Sequence, residues 1–221
     1  MDFKKFVKPT SSISSLDYKL LKGMEISFQG HQLKFLKGDD ASTLFSWRNI
    51  ASSSLLPDHP LCHQEEDPFL TSIKANLLQP QPDSVHLRLD NAEGLIGIAG
   101  FTEINWQSLH AKTYFFLDPQ KSSDPAQFGR FCSIILHLLM RCAFTSMGLS
   151  KISIETPGSA IMLVHTIEAS GFKREAEFKD YAQINGRNVS MIYATCTKED
   201  YFRVFPNPKL ISTDFSFLLL C

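Results

Sequence analysis

The segment from Gln127 to Cys132 has the residue types of an anion-binding site. It reads Gln-Phe-Gly-Arg-Phe-Cys and stands where an amphipathic helix is predicted to begin. A glycine permits a kinked backbone there. The unpaired N–H groups of a helix N-terminus, together with the helix dipole, attract anions. The segment therefore predicts a short loop whose backbone binds an anionic ligand.

The helix after this loop is the element that must position it. Apolar residues recur with i, i+3, i+4 spacing, which predicts one buried face. They are Phe131, Ile134, Ile135, Leu138, Leu139 and Cys142. His137 and Arg141 fall on the opposite face, where we expect solvent. Strand-like runs lie before and after the loop and helix, at 113–117 and 151–156. We expect the helix to begin near 127–131, with its N-terminus facing a cleft between these strands as they diverge.

The remaining patterns predict a mixed α/β fold of the α+β type. Period-2 alternation and turn signals predict strands, and apolar residues at helical spacing predict helices. The predicted strands are 32–36, 86–90, 95–103, 110–117, 151–156, and a hairpin of 175–183 with 189–197 across Asn185-Gly186. The predicted helices are 41–48, 68–78, 127–144 and one within 160–170 that Gly171 ends. This order predicts a mostly antiparallel twisted sheet flanked by helices.

The domain organisation follows from where these patterns begin and end. Residues 1–25 form a polar, serine-rich lead-in, 26–202 form the folded domain, and 203–221 form an apolar extension. The length of 221 residues suits one domain with short appendages.

The composition narrows the function classes. Hydrophobic residues make up 43% and charged residues 20%, which is typical of a soluble globular protein. A net charge of −1 argues against a nucleic-acid partner, which normally requires a basic surface. Neither a signal peptide nor a membrane span is predicted. We expect a cytoplasmic protein.

The five cysteines predict reduced thiols rather than disulfides or a metal site. Their number is odd, their spacing is irregular, and no C-x-x-C pair occurs. Cys62 lies close to His59 and His63. No second ligand cluster accompanies them, so no metal is expected.

The order of elements, together with particular residues, resembles the GNAT acyltransferase superfamily. The branch that it resembles is that of the ribosomal-protein N-terminal acetyltransferases and related small-molecule amine acetyltransferases. The resemblance spans about residues 31–201 and lies in order and spacing. The matching pieces are 33–41, Trp47-Arg48-Asn49, 95–105, 116–119, Ala143-Phe144, Glu168 with Gly171-Phe172, and Tyr201.

The resemblance implies acetyl-CoA as cosubstrate, with its pyrophosphate held at the anion site. The cofactor-binding residues that it implies are Phe116, Leu117, Gln127, Phe128, Gly129, Arg130, Phe131, Cys132 and Ala160. Arg130 and Cys132 stand where the family has two small residues, and Ala160 stands where it has an asparagine. Arg130 therefore either donates to the phosphates or obstructs them.

The resemblance also implies acid–base chemistry, because an amine must lose a proton and a thiolate must gain one. Glu103 closes an otherwise apolar strand and is the predicted base. His110 and His165 are alternatives for that role. Tyr114 is the predicted proton donor to the leaving thiolate. Lys112 stands where many members have an acidic residue.

Two functions follow from this pattern. The first is an acetyl-CoA-dependent N-acetyltransferase that acts on a small-molecule amine or a protein N-terminus by direct attack on the thioester. The second is a GNAT-fold module that has lost catalysis and binds a CoA-like ligand or a protein partner. The altered residues at 112, 130, 132 and 160 favour the second function, and the intact order of elements with Gln127 favours the first. The oligomeric state stays open.

Overall fold

Eight strands form one twisted sheet in the part of the chain that the computed structural model describes, residues 17–40, 42–43, 46–47, 66–184 and 186–206. The strands are β1 (Ile26–Phe28), β2 (His31–Phe35), β3 (Val85–Asn91), β4 (Gly94–Asn105), β5 (His110–Leu117), β6 (Lys151–Pro157), β7 (Lys173–Ile184) and β8 (Arg187–Thr197). Their order in the sheet is β1-β2-β3-β4-β5-β6-β8-β7. Neighbours are antiparallel except β5 and β6, which are parallel. The predicted fold class is confirmed.

Helices flank this sheet. They are α1 (Glu66–Leu77), α2 (Pro125–Arg141), α3 (Ile161–Ala169) and α4 (Lys198–Val204). The described residues of the helix predicted at 41–48, which are 42–43 and 46–47, have helical backbone. Gly171 has the left-handed φ of +100° expected at a helix end. The ligand cluster around Cys62 lies outside the described residues.

Helix α2 begins earlier than the sequence predicted. Pro125 is its first residue, and Asp124 caps it by accepting a hydrogen bond from the Gln127 N–H at 2.8 Å. Aspartate followed by proline is a strong start signal, since the carboxylate satisfies an orphan donor and proline needs none. The prediction of a loop at 127–130 is therefore wrong, because Gln127, Phe128, Gly129 and Arg130 are helical.

The two faces of the sheet differ in chemistry. One face, which we call the α2 face, packs against α2. A Cβ built on Gly97 would meet the side chains of Leu117 and Ile135, which shows how closely this helix approaches. The other face, which we call the polar face, carries His86, Lys112, Tyr114, Ser153 and Glu155, as the register and the alternation of side chains require.

The prediction that His137 faces solvent is wrong. It is 4% exposed, and its ring contacts those of Phe28, Tyr201 and Phe205. Phe28 comes from the edge strand β1, and Tyr201 and Phe205 come from α4 and its C-terminal end. These distant parts of the chain cover His137, so periodicity alone gave the wrong environment. Burial lowers the pKa of His137 to about 4, with Arg141 as a further cause.

This coverage also explains the apolar character of α2. Together with its continuation to Ser146, the helix is long and apolar enough to cross a membrane by composition alone, yet 67% of it is buried within the protein. It is the core helix of the domain.

Residues before β1 and after α4 add to the hydrophobic core of the domain. Tyr18 and Leu21 are 1% and 2% exposed, and the Tyr18 hydroxyl accepts a hydrogen bond from the His86 N–H. Phe205 is 7% exposed beside α4. The cysteines that the structure describes, Cys132, Cys142 and Cys196, are free and buried.

Candidate active site

The sheet splits between β5 and β6. These strands pair at only three positions, where His110, Ala111 and Lys112 face Lys151, Ile152 and Ser153. Beyond Lys112 the ladder ends, although β5 continues to Leu117 and β6 to Pro157. The predicted cleft between diverging strands is confirmed, and it exposes the backbone edge of Thr113–Leu117 to a ligand.

Two polar side chains flank the start of the split. Because side chains alternate along a strand, Tyr114 and Glu155 are the first residues on the polar face beyond the last paired positions. Tyr114 is half-buried and the Glu155 side chain is 31% exposed. A phenol and a carboxylate therefore stand on either side of the gap, on the same face.

Lys112 joins two carboxylates at the closed end of the split. Its Nζ lies 2.9 Å from Glu155 Oε2 and 3.8 Å from Glu103 Oε1. The Glu103 side chain is 75% exposed, and its φ of +51° marks an irregularity in the pairing of β4 with β5. The carboxylate nearer the split is thus Glu155, which the sequence reasoning did not single out.

Tyr114 contacts a buried histidine across β4. Its hydroxyl forms a short hydrogen bond with His86 Nδ1, and His86 Nε2 lies 3.2 Å from Ser84 Oγ. Burial lowers the pKa of His86 to about 4. The imidazole is therefore neutral at pH 7.

His110 and Glu175 extend the polar face, and each is hydrogen-bonded to a buried hydroxyl group. His110 Nε2 lies 3.2 Å from Ser153 Oγ, and burial with the nearby Lys151 charge lowers the pKa of His110. Glu175 receives hydrogen bonds from Lys151 at 2.8 Å and from Thr195 at 2.5 Å, which lower its pKa. This face offers both charge signs to a polar acceptor.

Backbone N–H groups at the N-terminus of α2, where a phosphate was predicted to bind, already have partners within the chain. Pro125 has no N–H, the Gln127 N–H donates to the Asp124 carboxylate, and the Phe128 N–H donates to the Asp124 carbonyl. Arg130 is exposed on the second turn of α2, and the Lys121 Nζ donates to the Leu95 carbonyl at 3.1 Å. The open edge of β5 offers backbone donors and acceptors to an extended ligand, whereas a phosphate at the N-terminus of α2 would compete with the negative charge of Asp124.

The other predicted cofactor residues lie in different environments. Phe116 is half-buried on the polar face, and Leu117 is 8% exposed at the end of β5. Phe131 and Cys132 belong to the core, and burial raises the pKa of the Cys132 thiol. Ala160 stands at the start of α3 and makes no side-chain cap.

His165 lies apart from Glu103 and Tyr114. It lines a depression of about 460 Å³ between α3 and the β7–β8 hairpin. Arg174 and Glu177 form an ion pair in the same depression. In the β7–β8 ladder these two residues face Ala194 and Ile192. Ala194 and Ile192 alternate with the polar-face residues of β8, so they lie on the opposite face of the sheet. The structure thus brings Glu103 and Tyr114 onto one face and places His165 on the other.

A family model described as "Acetyltransferase (GNAT) domain" matches residues 33–193. The chain belongs to the GNAT acetyltransferase family. It is an N-acetyltransferase that uses acetyl-CoA, as the first of the two sequence hypotheses predicted. No curated protein matches the chain significantly.

Solved structures support the fold. The spermidine N-acetyltransferase of Vibrio cholerae in complex with CoA and spermine is 21% identical, with a TM-score of 0.67, and the match covers 78% of this chain and 98% of that one. A chimera of the same enzyme, SpeG, with hSSAT is 20% identical, with a TM-score of 0.68, and the match covers 79% and 99%. At these identities the likeness shows the GNAT fold.

The sequence contained a signal for one feature that our reasoning missed. Asp124-Pro125 is a helix-start pattern, and reading it would have placed the start of α2 correctly. The contact of His86 with Tyr114 has no such signal, since it joins residues 28 apart that meet across a third strand.

Proposed function

We propose that this enzyme acetylates a primary amine of a small cationic molecule of the polyamine class. The observation that carries the proposal is the pair Tyr114 and Glu155, one on each side of the split on a single face of the sheet. A proton donor and a proton acceptor in these places can serve an amine that approaches from the polar face.

Charge on the polar face supports a cationic acceptor. Glu103, Glu155 and Glu175 all present carboxylates there, each partly exposed and each close to a lysine. A polyamine nitrogen can take the place of a lysine ammonium beside such a carboxylate. The activities named for the structural neighbours favour the same class, spermidine and spermine.

Acetyl-CoA supplies the activated acetyl group as a thioester. The residues that would hold it are the backbone of Thr113–Leu117, through β-augmentation along the edge of β5, and the side chains of Lys121 and Arg130 at its phosphates. In this arrangement Glu155 removes a proton from the attacking amine and Tyr114 Oη donates one to the thiolate. The sequence had predicted Glu103 as this base, with His110 and His165 as alternatives, and substitution of Glu103 and Glu155 decides between the two carboxylates.

The resemblance to the ribosomal-protein branch makes a protein N-terminus the competing acceptor. The polar face is open enough to bind either a polyamine or a peptide, so an experiment must decide between these two acceptors. A cytoplasmic location is part of the proposal and is supported by the free, buried thiols.

The test is CoA release by the purified full chain with acetyl-CoA and three acceptors. These are spermidine, a monoamine with a comparable chain length, and a short peptide with a free N-terminus and no lysine. We expect spermidine to have the highest kcat/KM by at least about tenfold, the effect of one good charge interaction. A preference for the peptide would overturn the polyamine assignment in favour of the ribosomal-protein branch. Turnover of none of the three, with calorimetric CoA binding intact, would also overturn the polyamine assignment.

A further inference from the structure

We propose that His86 is a positioning residue that holds Tyr114 as the proton donor for the leaving thiolate. The inference rests on the proposed function in one respect, that Tyr114 acts as the acid. It adds a partner on β3, which lies two strands farther from the split than β5 and does not face it.

The contact depends on a glycine in the intervening strand. His86 pairs with Gly100, and Gly100 pairs with Tyr114, so the three residues form one row across β3, β4 and β5. A Cβ built on Gly100 would lie 3.1 Å from the Tyr114 ring and 3.1 Å from His86 Cα. The absence of a side chain at position 100 lets the phenol and the imidazole meet above β4.

The imidazole is fixed at both nitrogens. Nδ1 contacts the phenol oxygen and Nε2 faces the Ser84 hydroxyl at 3.2 Å. His86 is 5% exposed, and its own N–H donates to the hydroxyl of the buried Tyr18. Both the ring and its backbone are therefore held in place by hydrogen bonds.

The protonation state of His86 decides which of the two rings donates the hydrogen bond between them. A neutral imidazole carries one N–H, and burial keeps His86 neutral. We assign that hydrogen to Nδ1, so that it donates to the Tyr114 oxygen and Nε2 accepts from Ser84. The phenol proton is then directed away from His86, and the donated hydrogen bond stabilises the phenolate that remains after the proton leaves.

The proton balance needs no other reactant. The amine attacks in its neutral form, after the ammonium has lost one proton to solvent. As the C–N bond forms, the nitrogen gives a second proton to Glu155, and the C–S bond breaks. The thiolate takes the proton of Tyr114 Oη, and the phenolate accepts the hydrogen bond from His86 Nδ1. Solvent then returns a proton to Tyr114 and removes one from Glu155.

A double-mutant cycle separates this role from simple packing. We would measure kcat and the KM for acetyl-CoA in wild type, Tyr114→Phe, His86→Ala and the double variant, with whichever amine the enzyme acetylates best. A wrong polyamine assignment therefore leaves the cycle intact. We expect Tyr114→Phe to lower kcat about 100-fold. His86→Ala should lower it about tenfold in wild type and less than about twofold in the Tyr114→Phe background, with KM nearly unchanged.

Two further variants control for folding. In His86→Asn the amide nitrogen stands near the position of Nδ1, so we expect it to recover part of the loss. His31→Asn changes another buried histidine, which lies on β2 and contacts the Gln29 carbonyl, and should leave kcat unchanged. Equal effects of His86→Ala in both backgrounds would overturn the inference. An effect of Tyr114→Phe below about threefold would also overturn it, while acetylation of the amine would stand.

Discussion

At the scale of single residues, the two carboxylates near Lys112 are expected to contribute unequally. Glu155 stands at the split, whereas Glu103 is 75% exposed at its closed end. Glu155→Gln should lower kcat on the order of 100-fold with the KM for acetyl-CoA nearly unchanged, because a base acts mainly in the transition state. Glu103→Gln is the matched control and should change kcat less than about threefold. The reverse order in steady-state kinetics would restore Glu103 as the base.

Gly100 should tolerate no side chain. A Cβ there would lie 2.1 Å from the Val85 carbonyl oxygen, a backbone atom that cannot move aside cheaply. We expect Gly100→Ala to lower the free energy of unfolding by about 1–3 kcal/mol or more, as overpacking does. Gly158→Ala is the control, since its nearest contact would be an ordinary 3.5 Å. Equal urea midpoints for the two variants would contradict this account.

The residue chemistry of the site could be predicted only in part. Tyr114 and Glu103 followed from their places on strands whose alternation is clear in the sequence. Glu155 did not, because its importance comes from where two strands stop pairing, and no local pattern records that. His86 depends on a contact through a glycine 14 positions later, which strand alternation cannot reveal.

At the scale of elements, the start of α2 should control cofactor affinity. Asp124→Asn keeps an oxygen that can cap Gln127 but removes the negative charge from the helix N-terminus. We expect it to tighten CoA binding about twofold to fivefold, equivalent to about 0.3–1 kcal/mol. Arg130→Ala should weaken binding by about 1.5–3 kcal/mol, the size of a charged hydrogen bond.

Calorimetric titration with CoA measures both effects. Asp124→Ala distinguishes charge from capping, since it removes both and should also destabilise the fold by about 1 kcal/mol. An unchanged affinity in Asp124→Asn would mean that this carboxylate does not compete with the phosphates. Tighter binding in Arg130→Gly would identify Arg130 as an obstruction.

Most helices and strands could be predicted. The start of α2 and the burial of a residue that distant parts of the chain cover could not. The bounds of β5 were read correctly because alternation and flanking turns agree there. The start of α2 was placed too late because Gly129 was taken as a loop residue, although Asp124-Pro125 is the pattern that marks the helix start. The environment of His137 was misjudged because α2 is covered both by the sheet and by the aromatic rings of Phe28 and Phe205.

At the scale of the whole molecule, two buried histidines should make stability depend on pH. Burial lowers the pKa of His86 and of His137 to about 4, below the ordinary value near 6.5. The unfolded chain therefore binds more protons as the pH falls, so the stability present above about pH 6.5 is lost between there and about pH 4. Each histidine accounts for up to about 3 kcal/mol.

Urea unfolding at pH 7 and at pH 4.5 tests this dependence. His137→Leu should make the loss between the two pH values smaller, because it removes one buried histidine and leaves His86 and the partly buried His110, whose pKa is also lowered. Comparison of the variant with wild type cancels the contribution of Glu175 and Asp200, whose pKa values are lowered by their lysine partners. An identical loss in the variant and in wild type would exclude His137 as a source.

The short ladder between β5 and β6 also divides the sheet into two parts. Three residue pairs connect a five-stranded half, β1 to β5, with a three-stranded half, β6, β8 and β7. We expect the two halves to move relative to one another at this junction, and a CoA arm paired along Thr113–Leu117 to restrict that motion. Hydrogen exchange should show this directly: CoA should slow exchange of the Thr113–Leu117 amides and also of the β6 amides that it does not touch. Slowing confined to β5 would show that the halves move as one body without the ligand.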